Sequence, residues 1–310
     1  MSETLLSLQG VRVFYGRFLA VDDIAFELRG GDLMGLIGPN GAGKSTTLRA
    51  AAGLQGVATG TVRVLGHDVS REPVLVGRHL GFAPDSPAVY DGLTVRQFLQ
   101  FAARCYRLPA SLTAERIDHW LEQLWLSEKA DAKISTLSRG MRQRLAVART
   151  LIPDPHVVLL DEPAAGLDPA GRVQFRRLLA NLRDQGKALI VSSHILADLA
   201  EYCTHIGIMG HGKLLQFGTV GQIAGASTER VRYRVLLAER IGDLAQRLAP
   251  LNLTPQIDGD TFVVEADGQR STAAELLRSL VAAGLPVADF RALGHDLEEA
   301  YLRAGIRQVD

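Results

Sequence analysis

The sequence predicts an α/β fold with buried parallel strands, followed by a smaller α+β domain, and three observations carry the prediction. A glycine-rich stretch, Gly38-Pro39-Asn40-Gly41-Ala42-Gly43-Lys44-Ser45, separates the apolar run Leu33–Ile37 from a helical segment, Thr46–Ala52, that Gly53 ends. The short all-apolar run Val157–Leu160 is the signature of a strand buried on both faces, and the α/β pattern continues with a strand at Ala188–Val191. Small residues accumulate from Gly221 to Ser227, and new strand and helix patterns start after them. The expected domains are therefore residues 1–222 and 229–310, within the two-domain expectation for 310 residues.

In chain order, residues 5–28 alternate as strands of an antiparallel layer, with Leu6/Leu8 and Val11/Val13 on one face, up to the turn at Gly30-Gly31-Asp32. After the glycine-rich loop and its helix, Gly60–Gly66 and Leu80–Asp85 read as strands, the latter broken at Pro84. From Thr94 to about Leu126 the spacing turns helical, through Val95, Phe98, Leu99 and Ala102 and then Ile117, Trp120, Leu121 and Leu124, which implies a helical insertion. Leu137–Met141 precedes a basic, alanine-rich helix from Arg142 to Leu151. A helix around Val173–Leu182, His194, a helix at Ile195–Glu201 and strands at Ile206–Met209 and Lys213–Phe217 complete the first domain. The second reads strand (Val231–Leu237), helix (Ile241–Leu248), a hairpin around Asp258-Gly259-Asp260, helix (Ala273–Ala283), strand (Val287–Leu293) and a terminal helix (Leu297–Arg303). That β-α-β-β-α-β order is ferredoxin-like.

Composition narrows the function. Lys+Arg and Asp+Glu are both 34, so the chain is not a generic polyanion binder and nucleic acid is not indicated. Cys105 and Cys203 are isolated, as in a reducing cytosol. No apolar run is long enough to span a membrane, and the N-terminus lacks the pattern of a signal peptide, so any membrane must be spanned by a partner.

The loop matches the phosphate-binding P-loop pattern GxxxxGK[ST] in the strand–loop–helix setting that the pattern requires. Its glycines let backbone N–H groups turn toward a phosphate, the helix N-terminus adds positive potential, Lys44 reaches the β/γ-phosphates and Ser45 offers a hydroxyl to Mg2+. Asp161-Glu162 ends a buried strand, where a carboxylate pair is costly without a cation or donors. Tyr15 is either a packing residue or a flat apolar face for a nucleotide base.

In this order the motifs resemble the nucleotide-binding domain of ATP-binding cassette (ABC) proteins over roughly residues 5–220, within the P-loop NTPase class. Leu137-Ser138-Arg139-Gly140-Met141 resembles the signature LSGGQ, Asp161-Glu162 the end of a Walker B strand, Ala165-Gly166-Leu167-Asp168 the D-loop, and His194 the switch histidine. The resemblance implies ATP and Mg2+ as cofactors. ATP would be held by Tyr15, Gly38, Pro39, Asn40, Gly41, Ala42, Gly43, Lys44, Ser45 and Thr46, and capped from a second copy by Ser138 and Gly140 in a head-to-tail homodimer. It implies a metal site of Ser45, Asp161 and Asp85, and hydrolysis by Glu162 as base with His194 and Lys44. The C-terminal part, ending near Asp296–Leu302, is similar to the accessory domain of the branch serving ABC-2-type exporters. A separate ABC-2-type membrane permease is then expected, with this chain in the cytoplasm, peripheral on the inner face of the membrane.

Two departures stand out. Asp85 occupies the Q-loop position, one methylene shorter than the usual Gln or Glu, and Arg139 and Met141 replace Gly and Gln of the signature. Arg139 reads as either a contact across the dimer seam or a solvated side chain, and the solvated reading is favoured. An ATPase acting on ribosomes or nucleic acid is the alternative, though it would usually carry two cassettes or a long coiled-coil insertion. A regulatory nucleotide-binding module is a second alternative, and the intact Lys44, Asp161, Glu162 and His194 weigh against it.

Overall fold

The computed structural model describes residues 3–195, 199, 201–223, 231–251, 253, 255–266 and 270–293. Contacts divide these residues into one unit up to Val220 and another from Gly221.

In the first unit the alternating segments form β1 (Thr4–Tyr15) and β2 (Phe18–Arg29), joined by β4 (Thr59–Val64) and β5 (His67–Asp68) in the antiparallel order β2-β1-β4-β5. The inward apolar residues face one another, Leu6 with Leu28 and Val64, and Leu8 with Phe26 and Val62. A second sheet contains β3 (Leu33–Ile37), β6 (Leu80–Ala83), β7 (Val157–Leu160), β8 (Ala188–Ser193), β9 (His205–Gly210) and β10 (Lys213–Thr219), ordered β10-β9-β3-β8-β7-β6. All neighbours in it are parallel except β10 on β9. Helix α1 (Lys44–Ala51) contributes Leu48, Ala50 and Ala51 to a core shared by the two sheets.

Helix α2 (Pro73–His79), which the sequence pattern does not reveal, is a two-turn segment with one buried residue, Val76, too few for a visible apolar stripe. The helical insertion is α3 (Val95–Cys105) and α4 (Ala110–Gln123). Thr94 and Gln97 cap α3 reciprocally, Gln97 N–H donating to Thr94 Oγ1 and Thr94 N–H to Gln97 Oε1. Helix α5 (Arg139–Leu151) starts earlier than expected because Ser138 is its N-cap, accepting the Met141 N–H at 3.3 Å. Helix α6 (Pro169–Asp184) follows an Asp168 cap. The first residues of the expected linker, through Ile223, are helical, while 224–230 lie outside the described residues. So does the expected terminal helix, and all of the helix at Ile195–Glu201 but three positions.

The second unit has the β-α-β-β-α-β order, with helices Leu244–Leu248 and Arg270–Ala282. Its antiparallel sheet runs β12 (Gln256–Asp258), β13 (Thr261–Ala266), β11 (Val231–Leu237), β14 (Val287–Leu293), the ferredoxin-like arrangement. Tyr233, Val235, Leu237, Phe262 and Val264 pack there on Leu244, Leu248, Leu276 and Leu280 as a separate core.

Candidate functional site

Three adjacent parallel strands deliver the chemistry to one edge. Ile37 pairs with Ser193 and Leu160 with Val191, so Gly38 and the loop beyond it, Ser192–His194, and Asp161-Glu162 all emerge at the carboxyl ends of β3, β8 and β7. Ligands of α/β sheets bind at these ends because the loops converge there.

The P-loop wraps tightly. A Cβ at Gly38 would stand 2.4 Å from the Met209 carbonyl oxygen, so no side chain fits. Gly43 caps α1 at φ +100° and, as a glycine, brings no side chain to cap its first turn. The N–H groups of that turn, together with the dipole of α1, suit an anion. Lys44 is buried, donating from Nζ to the carbonyls of Gly38 at 2.6 Å and Pro39 at 3.2 Å, and it lies 3.9 Å from Oε1 of Glu162. Burial pulls its amine below the ordinary value, against the opposing pull of Glu162 and Asp161.

Asp161 is 1% exposed, and its Oδ1 accepts the Ser192 hydroxyl at 2.6 Å. Glu162 adopts φ +47°, a left-handed backbone that non-glycine residues rarely take. Its Oε2 lies 3.0 Å from Nδ1 of His194, so His194 with its proton on Nδ1 donates to the carboxylate. Burial holds the Glu162 carboxyl above the usual carboxylate range, with His194 and Lys44 acting against that shift. The arrangement is a partly desolvated carboxylate flanked by a cation and an imidazole at the mouth of a phosphate loop, and it can accept a proton from water.

The cleft beside them is lined by Tyr15, Asn40 through Thr46, Asp85 and Glu162, and also by Phe18 and Ala20. Phe18 is 67% exposed and sits opposite Tyr15 in the β1–β2 hairpin, so two rings share the rim. The pairing across Gly16-Arg17 was the signal that could have found Phe18. Ser45 and Asp85 line the cleft, while the sequence-predicted Asp161 and His194 do not; the oxygen donors of Ser45 and Asp85 suit a hard dication and the loop amides suit phosphates, so the lining fits Mg2+ and a nucleotide.

Ser138 and Gly140 do not line this cleft. A Cβ at Gly140 would lie 2.7 Å from the Gly166 carbonyl oxygen, so the missing side chain already serves packing within this chain. Arg139 is 76% exposed at its side chain, in line with the solvated reading, and its guanidinium lies 3.8 Å from Asp85 of the same chain. Arg142 pairs with Asp91 at 2.9 Å and Gln143 donates to the Pro84 carbonyl at 3.4 Å, so one face of α5 holds the loop from 84 to 91.

Comparison with known proteins agrees with this geometry. The family model described as ABC transporter matches residues 21–165. The Nod factor export ATP-binding protein I of Ralstonia nicotianae is 32% identical over 312 residues, covering 99% of this chain and 96% of its own length. An uncharacterised ABC transporter ATP-binding protein of Bacillus subtilis, YhcH, is 39% identical over 220 residues, covering 70% of this chain and 71% of its own. A solved ATP-binding subunit of an ABC transporter superposes with a TM-score of 0.67 at 28% identity, covering 71% of this chain and 92% of that one.

Proposed function

Because this chain belongs to the ABC transporter ATP-binding family and is therefore an ATPase coupled to transport, we propose that it powers export through a separate ABC-2-type membrane permease. The observation that carries the ATPase half is Glu162 held between Lys44 and His194 beside the P-loop. The export half is supported by a relative named for export that matches 99% of the chain, the second unit included. Among the described residues no helix is long and apolar enough to cross a membrane; the proposal assigns the spanning role to a separate permease, with this chain on its cytoplasmic side. Exposed Tyr90 and Phe101 pack edge to face at 5.7 Å between the loop held by α5 and the helical insertion, a surface suited to an apolar partner.

In the proposed mechanism Lys44 and the loop amides hold the phosphates, Tyr15 and Phe18 offer rings to the base, and Ser45 and Asp161 hold Mg2+, with Asp85 at the cleft edge. Mg2+ supplies charge neutralisation at the phosphates. Glu162 takes the proton of the attacking water and His194 fixes the carboxylate that does so. Ser138 and Gly140 complete the site of a second copy in a head-to-tail homodimer, which accounts for their place outside this chain's own cleft. Co-purification from membranes tests the partner: a multi-span protein is expected, and a ribosome or nucleic acid would overturn the proposal. Glu162→Gln should keep ATP binding and stall turnover; wild-type turnover would remove Glu162 from the role of base.

A further inference from the structure

We propose that Ser192 is a positioning residue for hydrolysis, joining the two carboxylate residues Asp161 and Glu162 through a single buried hydroxyl. The inference rests on the reading of Glu162 as the base.

Ser192 continues the apolar strand Ala188–Val191 and is 1% exposed, a place where valine would fill space equally well. The parallel register pairs Leu160 with Val191, so the next step along both strands sets Asp161 beside Ser192. There its Oγ donates to Asp161 Oδ1 at 2.6 Å and accepts the Glu162 N–H at 2.9 Å. A hydroxyl is suited to this double role because it carries one donor and two acceptor lone pairs. Alanine would deprive both buried groups of that partner.

The Glu162 contact matters most. At φ +47° the residue is in a conformation that must be held by its surroundings. Ser192 holds its N–H, and Ala165 donates to its carbonyl at 3.1 Å, so the peptide groups on both sides are fixed. The direction of the side chain toward His194 and Lys44 follows from that φ. Ser192 takes no part in the proton transfer itself; its hydroxyl stays bonded to Asp161 while Glu162 acts. A merely structural serine would cost stability when removed but would leave chemistry and base identity uncoupled.

The test uses the full chain with Ser192→Ala, Ser192→Thr, Glu162→Gln and the double variant Ser192→Ala/Glu162→Gln. Binding of a fluorescent ATP analogue without Mg2+ reports an intact cleft and should stay within about threefold of wild type. The kcat of Ser192→Ala should fall roughly 10–100-fold with KM nearly unchanged, as expected for a group misplaced by about 1 Å. Ser192→Thr, which keeps the hydroxyl, should recover most of that loss. The double variant should be no slower than Glu162→Gln alone, because Ser192 acts through Glu162. A wild-type kcat for Ser192→Ala, or multiplication of the two losses in the double variant, would overturn the inference. Should the alanine variant not fold, Ser192→Val, which fills the space with neither donor nor acceptor, takes its place, and a wild-type kcat there overturns the inference equally. Wild-type turnover by Glu162→Gln would overturn the base reading, and this inference with it.

Discussion

Gly140→Ala separates two reasons for a glycine at the start of α5. The family resemblance gives Gly140 the task of letting a phosphate approach from a second copy. The structure adds a contact inside the chain, since a Cβ there would stand 2.7 Å from the Gly166 carbonyl oxygen, with Leu167 Cδ2 at 3.7 Å. The obstacle is backbone, so α5 or the Gly166 turn must retreat by roughly 0.7 Å to restore an ordinary contact of about 3.4 Å. Such overpacking costs about 1–3 kcal/mol. At ~2 kcal/mol a domain of this size loses roughly 4–8 °C in Tm. Calorimetry of the nucleotide-free full chain is the assay, because without nucleotide the phosphate reason is silent. A Gly140→Ala transition unmoved within about 1 °C would refute the packing argument. A lowered transition together with lost ATP-driven dimerisation would show that both reasons operate. If the proposed homodimer forms, Gly140→Asp should add charge repulsion against the second copy's phosphate and block ATP-driven dimerisation outright.

Three further outcomes are expected. Burial raises the Glu162 carboxyl, so the acid limb of the kcat/KM–pH profile should lie above the range of a free carboxylate, and His194→Ala, which removes an opposing influence, should move that limb further up; a downward shift would contradict the assigned cause. Arg139→Gly should change ATPase activity by no more than a few-fold, and its double-mutant coupling with Asp85→Asn should stay within about 0–1 kcal/mol, because the pair is 3.8 Å apart and largely solvated; a loss of orders of magnitude would instead put Arg139 at the phosphates. We also propose that the part beyond the 221–227 region is separable: truncation after Gly225 should leave a folded, ATP-binding first unit with altered turnover or partner association, whereas an insoluble product or loss of nucleotide binding would mean that the two parts share a core.

Features encoded in one contiguous stretch can be read from the chain alone. The P-loop needs its glycines, lysine and serine at fixed spacing, so Gly38–Ser45 announces a phosphate site without any knowledge of the sheet. Val157–Leu160 running into Asp161-Glu162 likewise marks a buried strand and a costly acidic pair. The ferredoxin-like second unit was legible because β11 and β13 alternate and the turn at Asp258-Gly259-Asp260 marks the hairpin that joins β12 to β13. Short elements with little to bury, such as Pro73–His79, left no such trace.

Which distant residues meet emerges from the folded arrangement alone. Ser192 looks like the polar end of an apolar strand until the β7–β8 register sets it between Asp161 and Glu162, some 30 positions away. Asp85 and Arg139 are two separate departures from a pattern until α5 lays one beside the other. Gly140 has a second reason to be glycine only because Gly166 comes under it. In each case the contact is set by strand order and helix packing, which follow from how the whole core closes and not from the spacing of residues along the chain.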